Sequence, residues 1–208
     1  MKKISVLINL FLTFVFFSCD VVEPDSINNQ GSILPLVIGN SWNYQTMQYR
    51  YDTADSSISA IDSSFITVSV AKPDTLDSFD GYFIENLFIS LGWGKYSIFN
   101  NRHDGLYYAS RTAFVVPPPP SRTLKLLSYP TFVGDILFLD SLTTIKTTSI
   151  DEEVSISDSS YKCVVYEVFS SDKLLGKFWM SPNIGIVKSW QLYFTLHVEH
   201  KLLNYELN

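Results

Sequence analysis

The sequence predicts an all-β domain, an antiparallel meander forming a curled sheet or half-barrel, with little helix outside a signal peptide. Three observations carry this. Aromatic residues make up 15 % of the 208 residues and Ser, Thr and Asp are plentiful, a composition suited to strands joined by polar turns. Period-two alternation recurs at short spacing between Gly, Pro, Asn and Asp. Long stretches rich in Ala, Glu and Leu, which helices favour, are missing.

The chain opens with Lys2 and Lys3, then an apolar run over residues 4–17 broken only by Ser5, Asn9 and Thr13. As a helix that run would reach about 21 Å, short of the roughly 30 Å hydrocarbon core. A cleaved export signal fits better than a permanent span. Ser18-Cys19 stands where a small-residue cleavage site belongs, followed by the polar Asp20-Val21-Val22-Glu23-Pro24-Asp25. This ending resembles a bacterial lipoprotein signal, in which Cys19 becomes the lipidated first residue of the mature chain. The usual lipobox has Leu three residues before the Cys; here Phe16 and Phe17 fill the variable positions, a departure that lipoproteins of Bacteroidetes-like bacteria tolerate. The expected division is a signal peptide over 1–18, a lipidated Cys and flexible tether over 19–32, and one β-rich globular domain over 33–208. The implied location is the cell envelope, lipid-anchored to the outer membrane. Asp20 leaves the face open, because acidic residues near the Cys resemble a retention signal in enteric bacteria and accompany surface export in Bacteroidetes.

Removing residues 1–18 takes away two of the 15 basic residues and none of the 21 acidic ones, so the formal charge moves from −6 to −8. Nucleic acid and electrostatic attachment to anionic lipid both need clustered Lys or Arg, and neither is expected. With Cys19 lipidated, Cys163 has no intramolecular partner. In Tyr161-Lys162-Cys163-Val164-Val165-Tyr166 it reads as a small buried apolar residue on a strand, with Lys162 on the opposite face.

Within the domain, Gly39-Asn40-Ser41 is a turn into a strand running to Tyr51, and residues 52–62 form a Ser/Asp-rich loop. Residues 65–71 alternate, with Ile66, Val68 and Val70 on one face. Residues 73–81 turn the chain, and 82–91 read as a buried strand ending at Gly92-Trp93-Gly94. Asn100-Asn101-Arg102-His103-Asp104-Gly105 signals a hairpin loop. Pro117 to Pro120 cannot join a ladder, because proline lacks the amide donor, and are expected to mark the seam between two halves of one sheet. Further strands are expected over 124–128, 136–139, 143–150, 154–157, 161–169, 174–180, 186–194 and 197–207. Pro35-Leu36-Val37-Ile38-Gly39-Asn40 and Pro130-Thr131-Phe132-Val133-Gly134-Asp135 resemble each other 95 positions apart. A shared strand-entering turn or a duplicated half-barrel would explain them.

Several of these segments, in order, resemble a group of β-rich lipoproteins from Bacteroidetes-like bacteria. They are Leu34-Pro35-Leu36, Gly39-Asn40-Ser41-Trp42-Asn43-Tyr44, Gly105-Leu106-Tyr107-Tyr108, Tyr129-Pro130, Val133-Gly134-Asp135, Trp179-Met180-Ser181-Pro182-Asn183-Ile184-Gly185-Ile186-Val187-Lys188 and Leu203-Asn204-Tyr205. The resemblance implies a curled antiparallel sheet akin to the half-barrels of periplasmic lipoprotein carriers, and no established activity. Gly39, Gly134 and Gly185 suit turn geometry, while Trp42 and Trp179 supply core area.

Chemistry-bearing clusters are few. In His197-Val198-Glu199-His200 the two histidines fall on opposite faces of a strand, and zinc needs three or four ligands, so no metal is expected. Asp151-Glu152-Glu153 reads as a solvated turn and His103-Asp104 as part of a loop. No serine lies in a nucleophile elbow, and no phosphate-cradling or calcium loop appears, so neither catalytic residue nor cofactor is expected. Asp25-Ser26-Ile27, Asp52-Thr53-Ala54, Asp74-Thr75-Leu76 and Asp140-Ser141-Leu142 resemble the short O-glycosylation signal of exported Bacteroidetes proteins. The expectation is a non-enzymatic module whose curled sheet takes an apolar ligand or partner protein on a concave face lined by Trp93 and Phe99. The alternative is a surface module contacting glycans or neighbouring envelope proteins through loop aromatics.

Overall fold

The computed structural model describes residues 32–51, 58–88, 96–111, 122–193 and 196–208. Among these residues every regular element is a strand, and twelve strands form one antiparallel sheet nearly closed into a barrel. In chain order they are β1 (Ser41–Tyr51), β2 (Ile58–Leu76), β3 (Phe79–Glu85), β4 (Tyr96–Arg102), β5 (Gly105–Arg111) and β6 (Arg122–Ser128). The second half comprises β7 (Ile136–Phe138), β8 (Thr143–Ile156), β9 (Ser159–Ser170), β10 (Lys173–Ser181), β11 (Gly185–Tyr193) and β12 (Leu196–Glu206). Around the sheet the order is β6-β5-β4-β3-β2-β1-β12-β11-β10-β9-β8-β7. The first and last strands therefore pair at its middle, and β6 and β7 form its two edges.

This order moves the seam. Pro117 to Pro120 fall between β5 and β6, which pair with each other, so those prolines lie within one half. The passage between halves is residues 129–135. Each half is preceded by the repeated turn, and the two turns share one hydrogen-bond frame. In the first, Gly39 N donates to Val70 O, Val70 N to Asn40 O and Asn40 N to Val37 O. In the second, Gly134 N donates to Thr147 O, Thr147 N to Asp135 O and Asp135 N to Phe132 O. Val70 and Thr147 lie on the second strands of their halves, and the glycines have φ of 90° and 94°. Such values favour a residue without Cβ. The sequence repeat thus marks two six-stranded units following each other around one barrel.

Three other sequence expectations are corrected. Residues 73–76 do not turn; β2 continues to Leu76 and only Asp77 and Ser78 turn. Pro73 is tolerated because β1 stops pairing at Ser69, so that side of the strand is a free edge, just past a bulge between Val70 and Lys72. The strand after it ends at Glu85, where Asn86 adopts φ 57°. β8 is one strand through the acidic trio, because register shifts between Thr147 and Glu152 absorb the mismatch. Within it Glu152 Oε1 accepts a bond of 2.6 Å from Trp179 Nε1, so this carboxylate is not simply solvated.

Inward-facing side chains of both halves merge into one core including Trp42, Tyr44, Val68, Val70, Leu106, Tyr108, Tyr166, Met180 and Leu202. Two side chains reach across from β1: Trp42 Nε1 donates to Ile184 O at 2.5 Å and Tyr44 Oη to Ile186 O at 2.8 Å. Edge strand β6 is tied to β9 by Tyr166 Oη donating to Ser128 O at 2.7 Å. At the end where β1 starts and β12 finishes, Ile33, Leu34 and Leu36 are buried. Asn183 N holds Ser32 O and Asn101 Nδ2 holds Leu34 O. We call this the tether end, after the tether expected over residues 19–32, and the opposite one the far end. A smaller cluster, Leu76, Phe79, Ile98 and Ala109, lies apart from the main core, with the Arg102 guanidinium over the Phe79 and Tyr107 rings.

Candidate functional site

The interior changes character towards the far end. Along β1 the inward positions run Trp42, Tyr44, Thr46; along β11 they run Val187, Ser189, Gln191; along β12 they run Leu202, His200, Val198. Thr46, Ser189, Gln191 and His200 are all buried, and cross-strand register places Ser189 opposite His200 and Thr46 opposite the same histidine. Four buried polar side chains therefore sit together on three neighbouring strands, apart from the buried Thr131–Thr147 hydroxyl pair. Thr46 Oγ1 and His200 Nδ1 are 2.9 Å apart in a hydrogen bond. Ser189 Oγ is buried with no partner among the described residues, a costly state for a hydroxyl.

Over this patch lies Phe88, from the chain that leaves β3. Its ring stacks on His200 with centroids 3.8 Å apart and planes at 13°, and meets the Tyr44 ring edge-on at 4.8 Å. Gln191 Nε2 donates to Phe88 O at 3.0 Å, and Tyr193 Oη donates to Gln191 Oε1 at 2.6 Å. The half-buried Phe88 thus occupies a seat with an aromatic floor and an aromatic wall, and the unpartnered Ser189 lies across the strand register from the histidine beneath it.

Burial pushes the His200 imidazole down to about 4, against the opposing pull of Glu199. The folded protein thus holds His200 neutral at pH values where the unfolded chain, titrating near 6.5, is already protonated. The unfolded state then binds the extra proton, so stability is full above about pH 6.5 and falls as the pH drops towards 4. The loss from this group is on the order of 2 kcal/mol. Urea unfolding at pH 7 and pH 4.5 should show a steeper loss for the parent than for His200→Gln; equal losses would remove His200 as the cause.

The sequence-predicted residues fall as follows. Phe99 points inward and is 5 % exposed, stacked with Tyr108 at 6.2 Å within the main core; it is not among the contacts of the Phe88 seat. Trp93 and Cys19 lie outside the described residues, as do Asp25-Ser26-Ile27 and Asp52-Thr53-Ala54. His197 and His200 do face opposite ways: His197 lies between Trp190 at 5.2 Å and Tyr49 at 5.6 Å. Among the described residues no three His, Cys, Asp or Glu side chains gather as a metal site. Cys163 is buried, and burial, helped by Glu152, raises its thiol to about 12.

Asp104 is a pin: it accepts from Lys125 Nζ and Tyr107 Oη, each at 2.9 Å, while its carbonyl accepts from Tyr129 N. The bond from Lys125 leads in holding its carboxyl below the usual range, against desolvation. Of the two described glycosylation-like segments, Thr75 is engaged, its Oγ1 donating to Asp80 Oδ1 at 2.7 Å. Asp140 Oδ1 instead caps the amides of Leu142 and Thr143 at 2.7 Å each, leaving Ser141 exposed between them.

No family model matches the chain, and no curated protein matches it. Two solved structures resemble it. One, from Bacteroides fragilis and described as an exported protein with a YmcC-like fold, shares 14 % identity at a TM-score of 0.38, covering 85 % of this chain and all of its own. The other, described as a lipoprotein from Parabacteroides distasonis, shares 12 % identity at a TM-score of 0.41, covering 85 % of this chain and 99 % of its own.

Sequence reasoning missed the Phe88 seat. A signal was present: Thr46, Ser189, Gln191 and His200 occupy positions where the alternation of their strands calls for apolar residues.

Proposed function

We propose that this chain is a non-enzymatic protein of the cell envelope, anchored to the outer membrane through a lipid on Cys19, and that it binds an apolar ligand or the apolar side chain of a partner inside the far end of its barrel. The supporting observation is the Phe88 ring itself. It is a flat apolar group packed against Tyr44 and His200, and it enters from outside the strands rather than from the barrel wall. A ligand replaces Phe88, and Ser189 Oγ offers it a hydrogen bond. Trp93, five residues along the same connection, and Phe99, deeper in the interior, would flank the path.

The test uses the protein begun at Asp20 and the apolar fluorophore anilinonaphthalene sulfonate. Phe88→Ala empties the seat and is expected to tighten binding several-fold, whereas Phe88→Trp fills it and weakens binding. Affinity unchanged by either substitution would refute the seat. A second reading, contact with glycans, has one observation in its favour: Tyr49, His197 and Trp190 stand side by side on the outer face of β1, β12 and β11. These aromatics are on strands rather than loops.

A further inference from the structure

The two lead-in turns carry an unusual cargo. In the first, Val37 and Ile38 are 47 % and 52 % exposed; in the second, Phe132 and Val133 are 54 % and 58 % exposed. Turn tips are ordinarily polar, and one exposed apolar pair could be incidental. Here the same two places in the same hydrogen-bond frame are apolar and exposed in both halves of the barrel. Leu207, also exposed, follows the end of β12 beside the first turn, where Asn208 N donates to Asn40 Oδ1 at 2.8 Å. No charged residue lies between Ser32 and Val37 or between Tyr129 and Gly134.

Both turns stand at the tether end, and the described chain begins there at Ser32. Ser32 lies thirteen positions after Cys19, a length that reaches at most about 45 Å. We propose that the two turns are paired membrane contacts: Val37 with Ile38 and Phe132 with Val133 insert into the interface of the bilayer that holds the Cys19 lipid. This rests on the lipid-anchor reading above. Two separated contacts and a tether define an orientation, with the tether end on the bilayer and the far end away from it. The same end also carries Asp77, Asp104, Asp158 and Glu206. The contact is therefore apolar insertion rather than attraction to anionic headgroups, and added salt will not weaken it.

The test uses the full chain in vesicles of phosphatidylcholine and phosphatidylethanolamine containing doxyl-labelled lipid. An environment-sensitive dye is placed at Ile38→Cys, at Val133→Cys, or, as a control, at Lys173→Cys, the exposed first residue of β10 at the far end. Cys163 stays unlabelled because it is buried. Dyes at 38 and 133 are expected to shift to the blue and be quenched by the doxyl lipid, in low and high salt alike, while the dye at 173 is not. A chain that floats with the vesicles while the dyes at 38 and 133 behave like that at 173 overturns the docking and leaves the anchor standing. Tips shielded from water yet unquenched, as in self-association, overturn it equally. A chain that does not float, or whose Cys19 takes up the dye, overturns the anchor and the docking with it.

Discussion

Gly105→Ala is expected to lower the unfolding free energy by about 3 kcal/mol or more, the largest effect of a methyl added at any of the described glycines. Gly105 opens β5 at φ +149°, and a Cβ built there would run into Leu127 O on β6 and come within 3.0 Å of Lys125 Cε. The first obstacle is backbone and cannot rotate away. Relief requires β6 to move off β5 at the sheet edge, beside the place where Asp104 binds Lys125 and Tyr129 N. Gly134→Ala is the control. It has φ +94° but no atom within 4 Å of the added methyl, so backbone strain alone should cost roughly 1 kcal/mol. Urea titrations followed by far-ultraviolet circular dichroism will compare them, and equal losses would mean that steric collision with Leu127 is not the dominant cost.

Trp42→Ala should cost about 3–5 kcal/mol, the range for emptying a buried aromatic site. Trp42 is buried in the core, and its indole donates to Ile184 O in the turn between β10 and β11. Trp42→Phe separates the two contributions. It keeps most of the ring and leaves a carbonyl without its donor, a loss of about 1–2 kcal/mol. If Phe proves as damaging as Ala in equilibrium unfolding, the hydrogen bond to Ile184 outweighs the packing, contrary to expectation.

Much of this architecture could be read from alternation and turn chemistry. Trp42, Val68, Val70 and Trp179 are buried as their periodicity requires, and Gly39, Gly134 and Gly185 all adopt positive φ. Cys163 is the buried, apolar thiol that its neighbours suggest. Failures arose where a local signal met a distant partner. Pro73 looks like a breaker until one knows that β2 outruns β1 and leaves that side unpaired. Asp151-Glu152-Glu153 looks like a turn until the indole of Trp179, on another strand, is seen to bind Glu152. The Phe88 seat was hidden for the same reason. Thr46, Ser189, Gln191 and His200 come from three strands spread along the chain, and only the barrel brings them beneath one ring. Strand order lay beyond local reading, because nothing near Ser41 or Glu206 announces that they are neighbours.

That neighbourhood has a consequence for how the molecule is made. Residues paired between β1 and β12 are 146 to 165 positions apart, a loop expensive to close and slow to find. A chain emerging N-terminus first presents β1 with β2 on one side and nothing on the other until its last dozen residues arrive. Throughout synthesis, the future centre of the sheet is a bare edge, open to pairing with any other strand it meets. Shortening the chain by its last strand would therefore split the sheet through its middle and expose the interior of both halves at once.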